Sequence, residues 1–448
     1  MHKGREALKT ARAEARQPNR TYVLVMLLLI YTSNFIDRTI VGIIGQPMKE
    51  DLGIADWQLG LLGGLAFALF YSTLGLPIAR IAERRNRVWI ISLALVVWSG
   101  FTASCGLVQN FTQLMLARIG VGVGEAGCAP ASQSLIADLY PPEKRAMAMS
   151  VFSLGIPLGV MLGAVVGGLI AARLGWRAAF LVVGLPGVLL ALVTAATIKD
   201  PDPQRSTRTG DLGDIPRFGA VLTLMWKERA LRHLLAGAAL AAVGGYSISS
   251  FAVPFLLRSF GLTLTAASVG FGLFSGAAAT IGTLLGGWLV TRRVGKDPRA
   301  GAYIPALGLA VAAPLYVAVF ATRDLRLLAL AAIVPATVQY FYLGPTYALI
   351  NNLVEPRMRA TAVAILLLTM NAIGLGLGPL VTGALSDLFA TLRYGGPFQA
   401  DCFGALATQS LACRTATSEG LRLALCLTSV PLAWGGLHYW ISSRSLRR

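Results

Sequence analysis

Apolar runs of 18 or more residues recur from one end of this chain to the other. Each is long enough to cross about 30 Å of hydrocarbon as a helix. In lipid every backbone N–H and C=O must be satisfied within the segment, so such runs leave a bundle of membrane-crossing helices as the fold. Composition agrees: 55% of the residues are hydrophobic and 13% charged, where soluble domains carry about 25% charge. The runs fall at 21–46, 57–79, 88–108, 111–137, 147–171, 176–198, 233–257, 266–290, 300–320, 326–352, 361–388 and 419–441, twelve spans with both termini on one side.

The net charge of +18 is distributed by side. Among Lys and Arg residues outside the spans' interiors, only Lys49, Arg173, Arg177, Arg258, Arg323, Arg326, Arg393, Arg414 and Arg422 lie opposite the termini. The positive-inside bias therefore puts both termini in the cytoplasm of a bacterial-type inner membrane. Basic loops on that face account for the charge without nucleic acid. The basic tail 1–20 precedes a span too long for a signal-peptide core, so no cleavage is expected.

Internal similarity divides the chain. "YPPEKRAMA" at 140–148 returns as "EPRMRATA" at 355–362, and "ARIAERRNR" after the second span has a shortened counterpart in "TRRVGKDPR" after the eighth. An offset near half the chain implies two related six-helix halves, an arrangement typical of secondary transporters. The expected organisation is a tail at 1–20, a bundle at 21–198, a linker at 199–232, a second bundle at 233–441 and a tail at 442–448. The end of the linker mixes apolar and basic residues and reads either as an interfacial helix or as plain linker. Glycines cluster within spans, where they allow close helix packing. With Pro157 and Pro379 they also allow the fifth and eleventh helices to flex.

Four charges stand inside the apolar runs: Asp37 and Arg38 in "SNFIDRTI", and Arg118 and Glu125 in the fourth span. Unpaired and dry they would cost on the order of 10 kcal/mol, so pairing or an aqueous cavity must relieve them. Arg118 and Glu125 are two helical turns apart, about 10 Å along the axis on nearly one face. Counting from opposite sides puts Asp37 level with Arg118, which suggests an Asp37–Arg118 ion pair, architectural or functional. Glu125 has no cation at its own level and is placed to load and release a proton as water access changes. Arg38 projects about 100° from Asp37. It faces the cavity, the headgroups or another partner. Asn34, Tyr246, Ser250, Gln339, Tyr340 and Asn371 also lie within spans and are candidates for cavity lining. The spans of the second half carry fewer deep charges, and a cavity charged on one side only suits an amphipathic molecule.

Of five cysteines, Cys105, Cys128 and Cys426 fall in apolar spans as packing residues. Cys402 and Cys413 share a loop opposite the termini, where a disulfide is open to them. Three histidines and no second ligand pair give no metal site. The chain has no G-x-x-x-x-G-K-[ST] phosphate loop and no nucleophile–base constellation, so neither an enzyme nor a cofactor is expected.

"NFIDRT", "ERRNR", "ARIGVGVGEAGCAPASQSLIADLYPPEKRAMAMSVFSLGIPLG" and "GWRAAF" resemble the spinster branch of the major facilitator superfamily, in its bacterial-type form. The resemblance is densest over 31–200. It implies two pseudo-symmetric six-helix bundles with alternating access, a monomer in membrane lipid, and an amphipathic cargo such as a lysolipid or sphingolipid-like molecule. It also implies proton coupling, with Asp37, Arg38, Arg118 and Glu125 as the central polar residues. Glu83, Arg84, Arg87 and Arg145 correspond to a cytoplasmic gate that latches to the other bundle. The usual pattern there is G-x-x-x-D-R-x-G-R; here Ala79, Glu83 and Asn86 replace its first glycine, aspartate and later glycine. Related carriers of small organic anions share an N-x-x-D-R-like first helix, and Glu125 in "GEA" argues against them. A proton-coupled carrier of small organic anions or drugs is the alternative.

Overall fold

A computed structural model describes residues 19–201, 218–355, 358–402 and 410–446. Among these described residues, twelve helical spans appear. They are α1 (Arg20–Ile43), α2 (Asp56–Gly63, resuming as Leu65–Arg84), α3 (Arg87–Cys105), α4 (Phe111–Glu125, then Cys128–Leu139), α5 (Gly155–Leu174) and α6 (Trp176–Thr197). The second set is α7 (Arg229–Phe260), α8 (Leu264–Val294), α9 (Ala300–Ala321), α10 (Leu325–Val338, then Leu343–Leu353), α11 (Arg359–Tyr394) and α12 (Leu411–Ser445). Eleven of the apolar helices are individually long enough to cross a membrane; α4 is the twelfth span, shortened by its interruption.

Polar caps set the starts. Asn19 accepts from the Thr21 and Tyr22 amides at 3.1 and 3.3 Å. Asn86, Asn110, Thr263 and Asp324 open α3, α4, α8 and α10 in the same way, each satisfying amides the helix leaves free. Gly261 and Gly395 close α7 and α11 with positive φ. Because hydrophobicity marks only the hydrocarbon-crossing part, α7, α8 and α12 run several residues past the sequence-derived limits. The expected interfacial segment contains a helix, Phe218–Lys227, with Val221 and Met225 buried and Trp226 exposed.

The interruptions have identifiable causes. Pro130 cannot donate to the Ala126 carbonyl, and α4 breaks just there, against the sequence expectation of one continuous helix. Pro379 likewise leaves the Leu375 carbonyl free, and the turn before it, Met370–Leu375, widens to a π-helix. α10 tightens to a 3₁₀ turn at Gln339–Tyr342.

α1–α6 form one bundle and α7–α12 the other. The repeat is visible in outline: Arg145 donates from Nε to the Tyr140 carbonyl at 2.9 Å, and Arg359 likewise turns back onto a main-chain carbonyl, that of Asn351, at 2.7 Å. The bundles meet through α1–α7, α2–α11 and α5–α8. In each pair the close approach lies in the half of the membrane opposite the termini, called here the far side. Among the described residues no comparable packing joins α4 or α5 to α10 or α11 on the terminal side.

Glycines, Gly60, Gly64 and Gly383 among them, make the α2–α11 approach possible. A Cβ on Gly60 would fall on the Pro379 carbonyl, and one on Gly383 on the Asp56 carbonyl. Overpacking costs about 1–3 kcal/mol, so Gly60→Val is expected to disfavour the far-side-closed state by roughly 5- to 150-fold. Labelling of a cysteine introduced in the far-side interface by a membrane-impermeant reagent should rise accordingly; unchanged labelling would count against this packing as the closing contact.

Candidate substrate and proton site

The first bundle gathers its intramembrane charges around α1. Asn34, Asp37, Arg118 and Glu125 are all buried. Arg38 Nε donates to Glu125 Oε2 at 2.8 Å, the glutamate fully buried and the arginine 12% exposed. The guanidinium carbon of Arg38 stands 5.1, 4.8 and 4.4 Å from the ring centres of Phe35, Phe67 and Tyr71. Three aromatic faces thus replace part of its hydration. Arg118 donates from Nη1 to the Asp37 backbone carbonyl at 3.3 Å, and Phe67 lies between the two arginines.

The carboxylate pairing therefore differs from the sequence expectation. Asp37 and Arg118 are neighbours, but the guanidinium takes the main-chain carbonyl, and both Asp37 carboxylate oxygens lack a hydrogen-bond partner. Glu125, expected without a cation, holds Arg38. The reason is directional. Consecutive helical side chains diverge by about 100°, so Asp37 turns toward Trp98 and Thr102 of α3 while Arg38 turns toward the cavity. Glu125 is the last residue of its helical segment, before the α4 break, an end where the dipole disfavours an anion, so Arg38 is the group that balances it. Broken helices at mid-membrane carry the polar sites of many transporters.

A cavity of about 80 Å³ opens beside this pair, between the bundles, with room for several waters. Arg38, Phe35 and Thr39 form one wall; Tyr246, Ser249, Ser250 and Phe251 of α7 form the other. Tyr246 and Ser250 are thus brought to the site. Gln339, Tyr340 and Asn371 do not border this cavity. Tyr340 neighbours Tyr246, Gln339 lies in the 3₁₀ turn, and Asn371 uses its amide on the Leu367 carbonyl at 2.9 Å within the π turn. Asn34 is buried behind Glu125.

On the far side a second charged cluster ties the bundles together. Asp56, at the start of α2, accepts from Lys49 Nζ at 2.7 Å and from both Nη atoms of Arg258 at 2.6 and 2.7 Å. Ser386 Oγ adds a fourth bond at 2.6 Å. Asp387 of α11 accepts the Asp56 and Trp57 amides at 3.1 and 2.8 Å, and Arg258 Nε reaches Gln46 at 2.7 Å. A bidentate arginine–carboxylate pair is the strongest form of this contact, and here it spans the two bundles. Nearby, Cys402 and Cys413 form a disulfide between the short helix Phe398–Cys402 and α12.

The terminal-side residues behave differently from expectation. Arg87 is buried and pairs with Asp138 and Asp200, each at 2.6 Å. It clamps α3, α4 and the end of α6 within the first bundle rather than reaching the second. Arg145 holds Tyr140 of its own bundle. Among the described residues, neither Arg87 nor Arg145 forms a hydrogen bond or ion pair with the second bundle. The side chains of Glu83 and Arg84 lie outside the described residues.

Comparison with known proteins is consistent with this architecture. The sequence profile of the Major Facilitator Superfamily matches residues 27–379. A bacterial homolog of the human lysosomal transporter Spinster, crystallised inward-facing and unoccupied, superposes with a TM-score of 0.87 at 36% identity, over 96% of this chain and 98% of that one. The chain belongs to the spinster branch of the major facilitator superfamily. An MFS-type efflux pump of Mycolicibacterium smegmatis is 31% identical over 99% of this chain and 97% of its own length. Spinster homolog 1 of Mus musculus is 27% identical over 82% of this chain and 73% of its own.

For this major facilitator chain, sequence reasoning missed the far-side cluster. Lys49 and Arg258 read as ordinary loop charges at span ends. The available signal was Asp387, an aspartate inside the apolar run "VTGALSDLFA". Its partners are about 330 residues away in sequence.

Proposed function

We propose that this transporter is proton-coupled and moves an amphipathic lipid, of the lysolipid or sphingolipid-like kind, across a bacterial inner membrane, as a monomer with both termini in the cytoplasm. The observation that carries this reading is the Arg38–Glu125 pair at the edge of the inter-bundle cavity. One wall of that cavity is charged and the other offers hydroxyls and apolar surface, a match for a headgroup joined to a chain. With the termini cytoplasmic, the far-side closure makes this the inward-facing state.

In this scheme a proton on Glu125 removes the counter-charge of the Arg38 guanidinium, which then holds an anionic headgroup. Loss of the proton restores the pair and expels the headgroup. Asp37, whose carboxylate has no hydrogen-bond partner, is the second titratable group on the route. Proton and lipid thus compete for one charge balance at Arg38, and that competition couples them. The far-side cluster around Asp56 acts as the outer gate.

The full-length likeness to an efflux pump and the modest cavity volume favour a second reading, a proton-coupled carrier of small organic anions or drugs. Purified protein in proteoliposomes separates the two. Lysolipid flux should rise when a pH gradient is imposed, while a small organic anion run in parallel stays at background. Anion flux alone would establish the second reading, and lysolipid flux indifferent to the gradient would remove proton coupling.

A further inference from the structure

At the terminal end of the second bundle, on the flank away from the inter-bundle cavity, a net-positive set of charges, Lys227, Arg229 and Arg232 against Glu228, meets exposed tryptophans. The helix Phe218–Lys227 ends in Trp226 and Lys227 and turns directly into α7, whose first turn carries Arg229 and Arg232. Arg232 Nη1 reaches back to the Trp226 carbonyl at 3.4 Å, tying the two helices. Next on α7, His233 Nδ1 meets His438 Nδ1 of α12 at 2.9 Å. One turn farther along α12, Trp434 is exposed on the bundle's outer surface beside His438.

Among the described residues, none of Lys227, Arg229 and Arg232 forms an ion pair with a carboxylate, whereas Arg38, Arg87, Arg177, Arg258 and Arg323 all do. Arg229 and Arg232 are three residues apart and share one face of α7. The histidine pair keeps at least one Nε2–H donor in either charge state, because the ring that accepts at Nδ1 carries its proton on Nε2. Below them the surface is apolar: Val430, Trp434 and Leu437 are exposed in a row along α12. Cations at headgroup depth, tryptophans at the boundary and an apolar stripe beneath match one ligand chemistry.

We infer that this corner binds the phosphate headgroup of an anionic phospholipid in the leaflet on the terminal side, with its acyl chains along α12. The site is separate from the cavity at Arg38 and does not depend on what the protein transports. Its charge complementarity decides the occupant: a zwitterionic headgroup would leave the cations unbalanced, and a free anion would make no use of the tryptophans and the apolar stripe.

The test is thermal unfolding of the whole protein in detergent, titrated separately with phosphatidylglycerol, phosphatidylcholine and inorganic phosphate. Phosphatidylglycerol should raise the midpoint saturably, less so at high salt, and the other two should not. In Arg229→Gln/Arg232→Gln the half-saturating concentration should rise roughly 30-fold, at roughly five-fold per arginine. Arg323→Gln, on the far side, should leave it unchanged. An equal response to phosphatidylcholine, a shift with phosphate alone, or an unaltered titration in the double variant would overturn the assignment. If that variant does not fold, Lys227→Gln/Arg229→Gln changes two exposed side chains and carries the same expectation.

Discussion

Glu125→Gln is expected to abolish gradient-driven transport while leaving the bundles assembled. Glutamine has the shape of the protonated acid. Its amide oxygen still accepts from Arg38 Nε, but it neither carries the charge that balances the guanidinium nor exchanges a proton. At every pH the variant should therefore behave as the wild type does after acidification, with its flux flat across the pH range. Removing one member of a fully buried pair costs roughly 3–5 kcal/mol. Here the cost should fall below that range, because Arg38 touches the cavity and three aromatic faces stay in place. Flux in proteoliposomes should drop roughly 100-fold or more under a pH gradient, the usual scale for a lost proton-transfer group. Arg38→Gln/Glu125→Gln should regain stability, since no unpaired charge remains, without regaining transport. A Glu125→Gln protein with wild-type rate and pH dependence would end the assignment of the proton to this residue.

The second large effect concerns the opposite end of the molecule. Asp56 is the anion for both Lys49 and Arg258, and all three are largely buried. In Asp56→Asn the two cations face each other across the bundle interface without the carboxylate that touches both, and Asp387, which accepts the Asp56 and Trp57 amides, is an anion left beside them. Breaking such a pair costs roughly 3–5 kcal/mol, and only the far-side-closed state bears that cost, because on opening the cations regain water. The ratio of closed to open should fall by roughly 150- to 5,000-fold. Spin labels at Leu107 and Arg323, both at the far side and one in each bundle, should show a new, longer distance population. Arg258→Gln should do the same, and the double variant should be less severe than the sum of the two, as expected for partners in one network. Identical distance distributions in wild type and Asp56→Asn would show that glycine packing alone holds the far side shut.

These two clusters also mark how far the chain could be read before its structure was known. Span number, the two-bundle division and the four intramembrane charges follow from local pattern. A charge in an apolar run is costly wherever the chain goes, so Asp37, Arg38, Arg118 and Glu125 announce a site by themselves. Which of them pair was not legible. It depends on the rotation of α1 against α4 and on the break at Ala126, and a turn of about 100° per residue exchanges the partners. The Pro130 that causes the break was present in the sequence, but its consequence for Glu125 needed the neighbouring helices.

The far-side cluster shows the limit more sharply. Lys49, Asp56 and Arg258 sit at or near span ends, where a charge is inexpensive and carries no signal; Asp387, inside an apolar run, gave a signal but not its partners. They become a single network only when the bundles tilt together on one side, a property of the whole assembly that no stretch of residues encodes. Sequence by itself determined what must be buried in the membrane, because the cost of exposing or burying each group is local. Only the tertiary structure decided which charges meet, because their meeting depends on helix rotation and on which end of the molecule is closed.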